Sequence, residues 1–298
     1  MPCYSPLKGY KNLETGGIVF KRSSIAGVAM EVACGQCLGC RLDRSRTWGF
    51  RIIHEASLHD QNCFITLTYD DEHLPGDLSL NKKHFQKFMK RLRKRFHPRK
   101  VRFYHCGEYG EQYKRPHYHA CIFGLDFDDK ELLTDNGEYK TYTSQVLSDT
   151  WGFGFVTVGE VTLESAMYCA RYILKKVNGH NADDHYLRCD EYGVAYWVEP
   201  EYTTMSRRPG IGKDWYEKYK NDLFPSDEVP VPGHGVFPKV PRYYEEILRS
   251  EDESAHAEIK RVREVFRREH GDEYTPERLM AKYKVKKAQV DMLKRGLE

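Results

Sequence analysis

Two hydrophobic periods alternate along the middle of the chain. Residues 63–69 (CFITLTY), 101–106, 117–123 and 153–158 are short runs rich in β-branched and aromatic residues, and each predicts a strand. Between the first two, a helix is predicted from about Leu80 through Arg95, with Ser79 as its cap and Pro98 just beyond its end. Thr162–Val177 has helical spacing: Leu163, Ala166, Ala170, Ile173, Leu174 and Val177 form an apolar stripe, and Asn178-Gly179 supplies a stop. On a helical wheel Tyr168, Tyr172 and Lys176 fall on the opposite side, so the sequence predicts that they face away from the core. The order strand, helix, strand, turn, strand, strand, helix predicts an α+β fold, with a central, mostly antiparallel sheet flanked by helices.

Three regions follow from this pattern. Residues 1–50 are a Cys-rich N-terminal segment, 51–223 an α/β core with an extension after its last predicted helix, and 224–298 a linker followed by a charged helical tail. The linker is read from five prolines between 224 and 242. Thr275-Pro276-Glu277 predicts a helix start in the tail.

Composition narrows the class. The chain has 298 residues, 40% hydrophobic and 31% charged, as in a globular protein with a substantial core. No apolar run approaches the ~20 residues of a membrane helix. The N-terminus MPCYSPLKGY carries no export signal, so cytoplasm is the expected compartment and no membrane partner is expected. A net charge of +3 does not itself point to nucleic acid, but Lys82–Lys100 is densely basic and can contact phosphates.

Chemistry enters at Arg115-Pro116-His117-Tyr118-His119. On a strand, alternate residues share a face, so His117 and His119 project side by side, with Cys121 and Phe123 continuing that face. Two imidazoles can hold one divalent ion, and a carboxylate is the expected third ligand for Mg²⁺ or Mn²⁺. Glu108 ends the preceding strand and Glu111 lies in the turn; both are open candidates. Tyr168 and Tyr172, four apart, are neighbours on one helix face, and Lys176 extends their row. A tyrosine oxygen can attack a phosphodiester and stay attached, and a lysine can stabilise the developing charge. With 21 tyrosines in the chain, chance pairs at this spacing are expected, and a His-x-His on a strand is usually an ordinary pair. The two signals gain force from occurring together, in this order.

Nine cysteines without an export signal argue against a disulfide framework. Cys34, Cys37 and Cys40 are spaced for one structural Zn²⁺, with Cys3 a candidate fourth ligand; the alternative reading is three free cysteines in a Gly-rich loop with no metal. Ser206–Lys213 (SRRPGIGK) sets Arg207, Arg208 and Lys213 on a Gly-bearing loop suited to phosphates or extruded bases, and Arg115 is a further DNA-contact candidate.

CFITLTYDDEHLP, RPHYHACIFG and YCARYILKK resemble, in order, the three motifs of the HUH endonucleases, and most closely those of the rolling-circle replication initiators of Microviridae, gokushovirus type. CGQCLGCR and SRRPGIGKDW are also similar to segments of those initiators. The resemblance implies the HUH fold, His117 and His119 as ligands of Mg²⁺ or Mn²⁺, Tyr168 and Tyr172 as nucleophiles, and, on weaker grounds, Glu108 as third ligand. It further implies an enzyme that nicks single-stranded DNA at a phage origin through a 5′-phosphotyrosine and closes the displaced strand into a circle. The implied partners are the origin DNA and the polymerase and helicase of a bacterial host. The rival readings are a non-catalytic, zinc-stabilised single-stranded DNA-binding protein, a different metalloenzyme that binds iron or zinc through the His-x-His pair and a carboxylate, and a plasmid or transposon nickase of the same superfamily.

Overall fold

A computed structural model describes residues 3–110, 112–137, 139–171, 181–189 and 192–292. The candidates Glu111, Tyr172 and Lys176 lie outside the described residues. Contacts divide the chain into two units, one of residues up to Arg44 with those from Asp252 on, the other Ser45–Glu251.

In the first unit β1 (Leu7–Asn12), β2 (Ile18–Val19) and β3 (Ala26–Val32) form an antiparallel sheet in the order β2-β1-β3. The helix α1 (Leu38–Ala56) starts in this unit and continues into the second. The second unit then runs β4 (Asn62–Thr68), α2 (Lys82–Arg95), β5 (Arg102–Tyr109), β6 (Pro116–Phe123), β7 (Glu131–Asp135) and β8 (Lys140–Thr143). It goes on through α3 (Gln145–Trp151), β9 (Val156–Gly159), α4 (Leu163–Arg171), α5 (Asn181–Tyr186), β10 (Leu187–Cys189), β11 (Ala195–Trp197) and β12 (Tyr202–Met205). Its last elements are α6 (Lys213–Leu223), β13 (Glu228–Val231), β14 (Gly235–Pro238) and α7 (Arg242–Glu251). The chain then returns to the first unit as α8 (Glu253–Glu269) and α9 (Pro276–Met292). There Arg267 pairs with Glu31 at 3.0 Å, and the Tyr4 ring stands edge-on to Tyr283 at 5.7 Å.

The architecture is the α+β one read from the sequence. Its centre is a seven-stranded sheet in the order β12-β5-β6-β4-β9-β8-β7, antiparallel at every neighbouring pair. Strand alternation sends Ile65, Leu67, Tyr118, Ala120 and Ile122 to one face, where they meet Phe85, Phe88 and Leu92 of α2 and Trp151 of α3 in one core. The opposite face lies under α1 and α4. Trp48 packs on Tyr104 of β5 at 5.0 Å, and the Cys169 thiol lies 3.5 Å from that of Cys106. α1 meets α4 at Gly49, where a Cβ would fall 2.6 Å from Met167 Cγ. Ser45 there donates to the Met167 carbonyl at 2.8 Å.

Three local expectations change. The cap of α2 is Asn81, whose side chain accepts from the Lys83 amide; the Ser79 hydroxyl is taken by the Glu199 amide at 2.9 Å. The stretch read as a linker is a β13–β14 hairpin followed by α7, because its prolines sit where a two-stranded ribbon tolerates missing amides and Gly233 takes the turn at φ 77°. Both elements are tied to α1 through His54, whose ring lies flat on Trp215 at 3.5 Å and bonds to the Tyr244 hydroxyl and the Pro230 carbonyl, each at 2.9 Å. Tyr168 is buried rather than turned away from the core. α4 is covered on more than one side, by the sheet and by α1, so a single apolar stripe underestimates what it buries.

Candidate active site

Register builds the site. Along β6, His117 and His119 alternate with core residues and so share the face under α4. On β5, Glu108 lies opposite His117 and Cys106 opposite His119. On the other side β4 places Thr68 opposite His117 and Thr66 opposite His119. A row therefore crosses the sheet as Glu108, His117 and Thr68, and the next as Cys106, His119 and Thr66.

His119 and Glu108 are both buried. His119 Nε2 lies 2.7 Å from Glu108 Oε1, and Nδ1 lies 2.9 Å from Thr66 Oγ1. The carboxylate only accepts, so in this arrangement Nε2 carries the proton and Thr66 donates to Nδ1. His117 donates from Nδ1 to the Arg115 carbonyl at 2.7 Å, which leaves the lone pair on Nε2. Burial, reinforced by the neighbouring His119, holds the His117 pKa below the ordinary histidine value and favours the neutral form that binds metals.

The donor set of two imidazoles and a carboxylate on one sheet face suits Mn²⁺ or Mg²⁺. Among the described residues, however, the only group of three or more such side chains with all ligand atoms within 4.8 Å of one another is Cys3, Cys34, Cys37 and Cys40. The His117, His119 and Glu108 donors are neighbours without being closed around a point.

α4 brings Tyr168 to this face. Its ring stands edge-on to the His119 imidazole, 5.3 Å between centroids at 87°, and edge-on to Phe64 at 6.3 Å. Arg171, one turn on, places its guanidinium carbon 5.7 Å from the Tyr168 ring centre. Sequence reasoning missed Thr66, Phe64 and Arg171. The alternation of Phe64, Thr66 and Thr68 in CFITLTY carries the signal for the first two, since a strand with polar alternate positions turns them to one face.

A groove beside His117 is lined by Thr68, Leu74, Leu78, Tyr113, Arg115 and Phe155. Tyr113 and Phe155 are 73% and 69% exposed, so two large rings stand open there. Phe155 flanks the site because its carbonyl accepts from the Thr68 amide at 2.9 Å. Gly154 permits that approach, with φ 133° and a would-be Cβ only 2.2 Å from the Asp70 amide nitrogen. Arg115 braces the same corner, reaching Asp71 at 2.6 Å and the Tyr69 carbonyl at 2.9 Å.

Other candidates fall elsewhere. The basic helix α2 packs on the sheet face opposite the histidines. Ser206 bonds to Phe103, which pairs with Ile122 toward the far end of β6. Arg207, Arg208 and Lys213 thus lie at the strand end remote from His117, on the order of 15–20 Å along β6. Arg207 and Arg208 are exposed; the loop is held by Arg102 on the Pro209 carbonyl and Glu55 on the Gly212 amide.

Residues 62–177, which carry this site, match the family model for replication-associated protein ORF2/G2P. The chain is 38% identical over 257 residues to replication-associated protein VP4 of Bdellovibrio phage phiMH2K, covering 83% of this chain and 76% of that protein. It is 37% identical over 275 residues to replication-associated protein ORF2 of Spiroplasma virus 4, covering 84% and 81%. With replication-associated protein ORF4 of Chlamydia phage 1 it shares 31% identity over 224 residues, 72% of this chain and 53% of the other. No solved structure matches. Among the described residues no helix is long and apolar enough to cross a membrane.

Proposed function

Because the chain belongs to the family of phage replication-associated proteins, we propose that it is a rolling-circle initiator that nicks single-stranded origin DNA with a tyrosine and later rejoins the ends. The observation that carries this reading is the edge-on placement of Tyr168 against His119, on the sheet face that also presents His117 and Glu108.

His117, His119 and Glu108 would hold a Mg²⁺ or Mn²⁺ ion, and the chemistry it would supply is Lewis-acid polarisation of the scissile phosphoryl group. Thr66 can donate or accept, so it serves either tautomer of His119 when Nε2 gives up its proton to act as ligand. The Tyr168 oxygen attacks phosphorus and loses its proton; the P–O3′ bond breaks and the 3′ oxygen leaves as a hydroxyl. The 5′ phosphate stays on the tyrosine, which keeps the ester energy for rejoining. Arg171 beside the Tyr168 ring favours the phenolate that forms during attack. Tyr172 serves as the second nucleophile for the regenerated origin, and Lys176 stabilises developing negative charge. A polymerase and helicase of the bacterial host, in its cytoplasm, extend the freed 3′ end and open the duplex.

The test is to incubate the full chain with single-stranded origin DNA and Mn²⁺ and resolve the products on a denaturing gel. Wild type is expected to yield a protein–DNA adduct. Tyr168→Phe combined with Tyr172→Phe is expected to yield none, with DNA affinity nearly unchanged. Undiminished adduct from the double variant, or no adduct from the wild type, overturns the tyrosine mechanism. Full DNA affinity without cleavage in the wild type would support the non-catalytic binder instead.

A further inference from the structure

We propose that Cys3, Cys34, Cys37 and Cys40 bind one structural zinc ion that closes the N-terminal segment onto the start of α1. The four sulfurs all lie within 4.8 Å of one another. Cys3 Sγ is 3.6 Å from Cys34 Sγ and 3.8 Å from Cys37 Sγ. Zinc–thiolate bonds of about 2.3 Å in a tetrahedron place sulfurs about 3.8 Å apart, which these separations match; a disulfide would need about 2.05 Å.

The backbone around the cluster is arranged for thiolates. The Tyr4 amide points to Cys37 Sγ at 3.3 Å, the Cys34 amide to Cys3 Sγ at 3.3 Å and the Cys37 amide to Cys34 Sγ at 3.2 Å. Gly35, at φ 74°, makes the turn that brings the last amide round. Cys40 sits in the first turn of α1, where the helix dipole favours negative charge. Four thiolates and Zn²⁺ leave a net charge of −2, which that helix end helps to balance. All-sulfur ligation selects zinc over Mg²⁺ or Mn²⁺, so this site is chemically distinct from the histidine–carboxylate one.

The local fold gives the ion a purpose. Leu7, Ile18, Phe20, Val28 and Met30 of the β1–β3 region are all more than 40% exposed, so this small sheet buries little apolar side-chain surface. A metal cross-link joining positions 31 residues apart in the chain, Cys3 and Cys34, supplies the restraint that a core does not.

The experiment measures zinc by mass spectrometry in full-length protein purified under reducing conditions without chelator. One zinc per chain is expected for the wild type and for His117→Ala/His119→Ala, and none for Cys34→Ser/Cys37→Ser. Replacement by Co²⁺ is expected to give the visible bands of a tetrahedral thiolate complex. Wild-type protein without zinc, or with iron in its place, overturns the proposal even if the cysteine variant fails to fold. So does full zinc retention by the cysteine variant. Loss of zinc in the histidine variant, with retention in the cysteine variant, would move the ion to the other site and equally overturn it.

Discussion

His105 and His119 sit on adjacent strands, β5 and β6, and both are nearly inaccessible, yet they face opposite sides of the same sheet. His105 enters the aromatic core. Its ring lies flat on Phe85 at 3.4 Å, Nδ1 bonds to Thr204 Oγ1 at 2.8 Å, and Nε2 is buried with no hydrogen-bond partner among the described residues. Burial, with a smaller contribution from His119, drives its pKa well below the ordinary value, so it is an uncharged packing element. His119 has both ring nitrogens on polar groups, one a carboxylate and one a hydroxyl able to reverse its role. Burial alone does not distinguish these two histidines; their partners mark His119, not His105, as the candidate for chemistry. The sheet divides its work by face, with stability beneath α2 and α3 and the candidate chemistry beneath α4.

That division can be broken from the packing side first. Trp151 is fully buried, ringed by Tyr69, Tyr118 and Phe88, and its indole donates to the Thr68 carbonyl. Trp151→Ala is expected to cost about 3–5 kcal/mol of stability, read as a lower denaturant midpoint for the Ser45–Glu251 unit. Variant that remains folded at low temperature should still form the DNA adduct. A stable Trp151→Ala protein that cannot cleave would show that the core face also shapes the site. From the other side, His119→Ala is expected to reduce metal-dependent cleavage by more than about 100-fold, since loss of outer-shell partners alone costs roughly 10–100-fold. Because the buried Glu108 carboxylate loses its 2.7 Å contact, it is also expected to lower stability by about 1–3 kcal/mol, less than Trp151→Ala. His105→Phe, filling a similar volume, should leave cleavage unchanged. Comparable cleavage losses in the two variants would erase the distinction between the faces.

Much of this division was legible in the sequence, because a strand's period of two assigns faces without knowledge of its neighbours. His117 and His119 could be placed together, and apart from Tyr118, from seven residues of β6. Glu108 was a candidate by position, but only the β5–β6 register sets it opposite His117. Thr66 and Phe155 depend on which strands pair with which, and the order β5-β6-β4-β9 is not written in any local pattern. Tyr168 was expected on the solvent side because a helical wheel sees one apolar stripe, whereas α4 packs against the sheet and α1 at once. α1 itself was hidden: its hydrophobic residues are interleaved with arginines, and several of those charges are absorbed inside the fold. Arg51, for example, bonds to the Ile211 carbonyl and lies over the rings of Trp48 and Tyr243. The prolines of 224–242 pointed to a linker because proline frequency reports missing amides, not whether a two-stranded ribbon has room for them.

The smallest expected effect concerns the rim of the chemical face. Phe155 is 69% exposed beside Thr68, which lies opposite His117, so its ring is offered about two strand spacings, or roughly 10 Å, from the histidine row. A phenylalanine on a surface gains nothing from water, and here it adjoins a groove with Tyr113, Arg115, Leu74 and Leu78. Aromatic rings with a nearby cation are what single-stranded DNA uses for base stacking and phosphate neutralisation. Phe155→Ala is therefore expected to weaken binding of a single-stranded origin oligonucleotide by about 1–3 kcal/mol, measured by fluorescence anisotropy at fixed salt. Because the lost interaction is stacking and not charge, the slope of affinity against salt should stay as in the wild type. Unchanged affinity would place the DNA path away from this edge. A reduced salt slope would mean that the substitution acts on phosphate contacts through Arg115, and the two faces would then differ in charge placement more than in aromatic exposure.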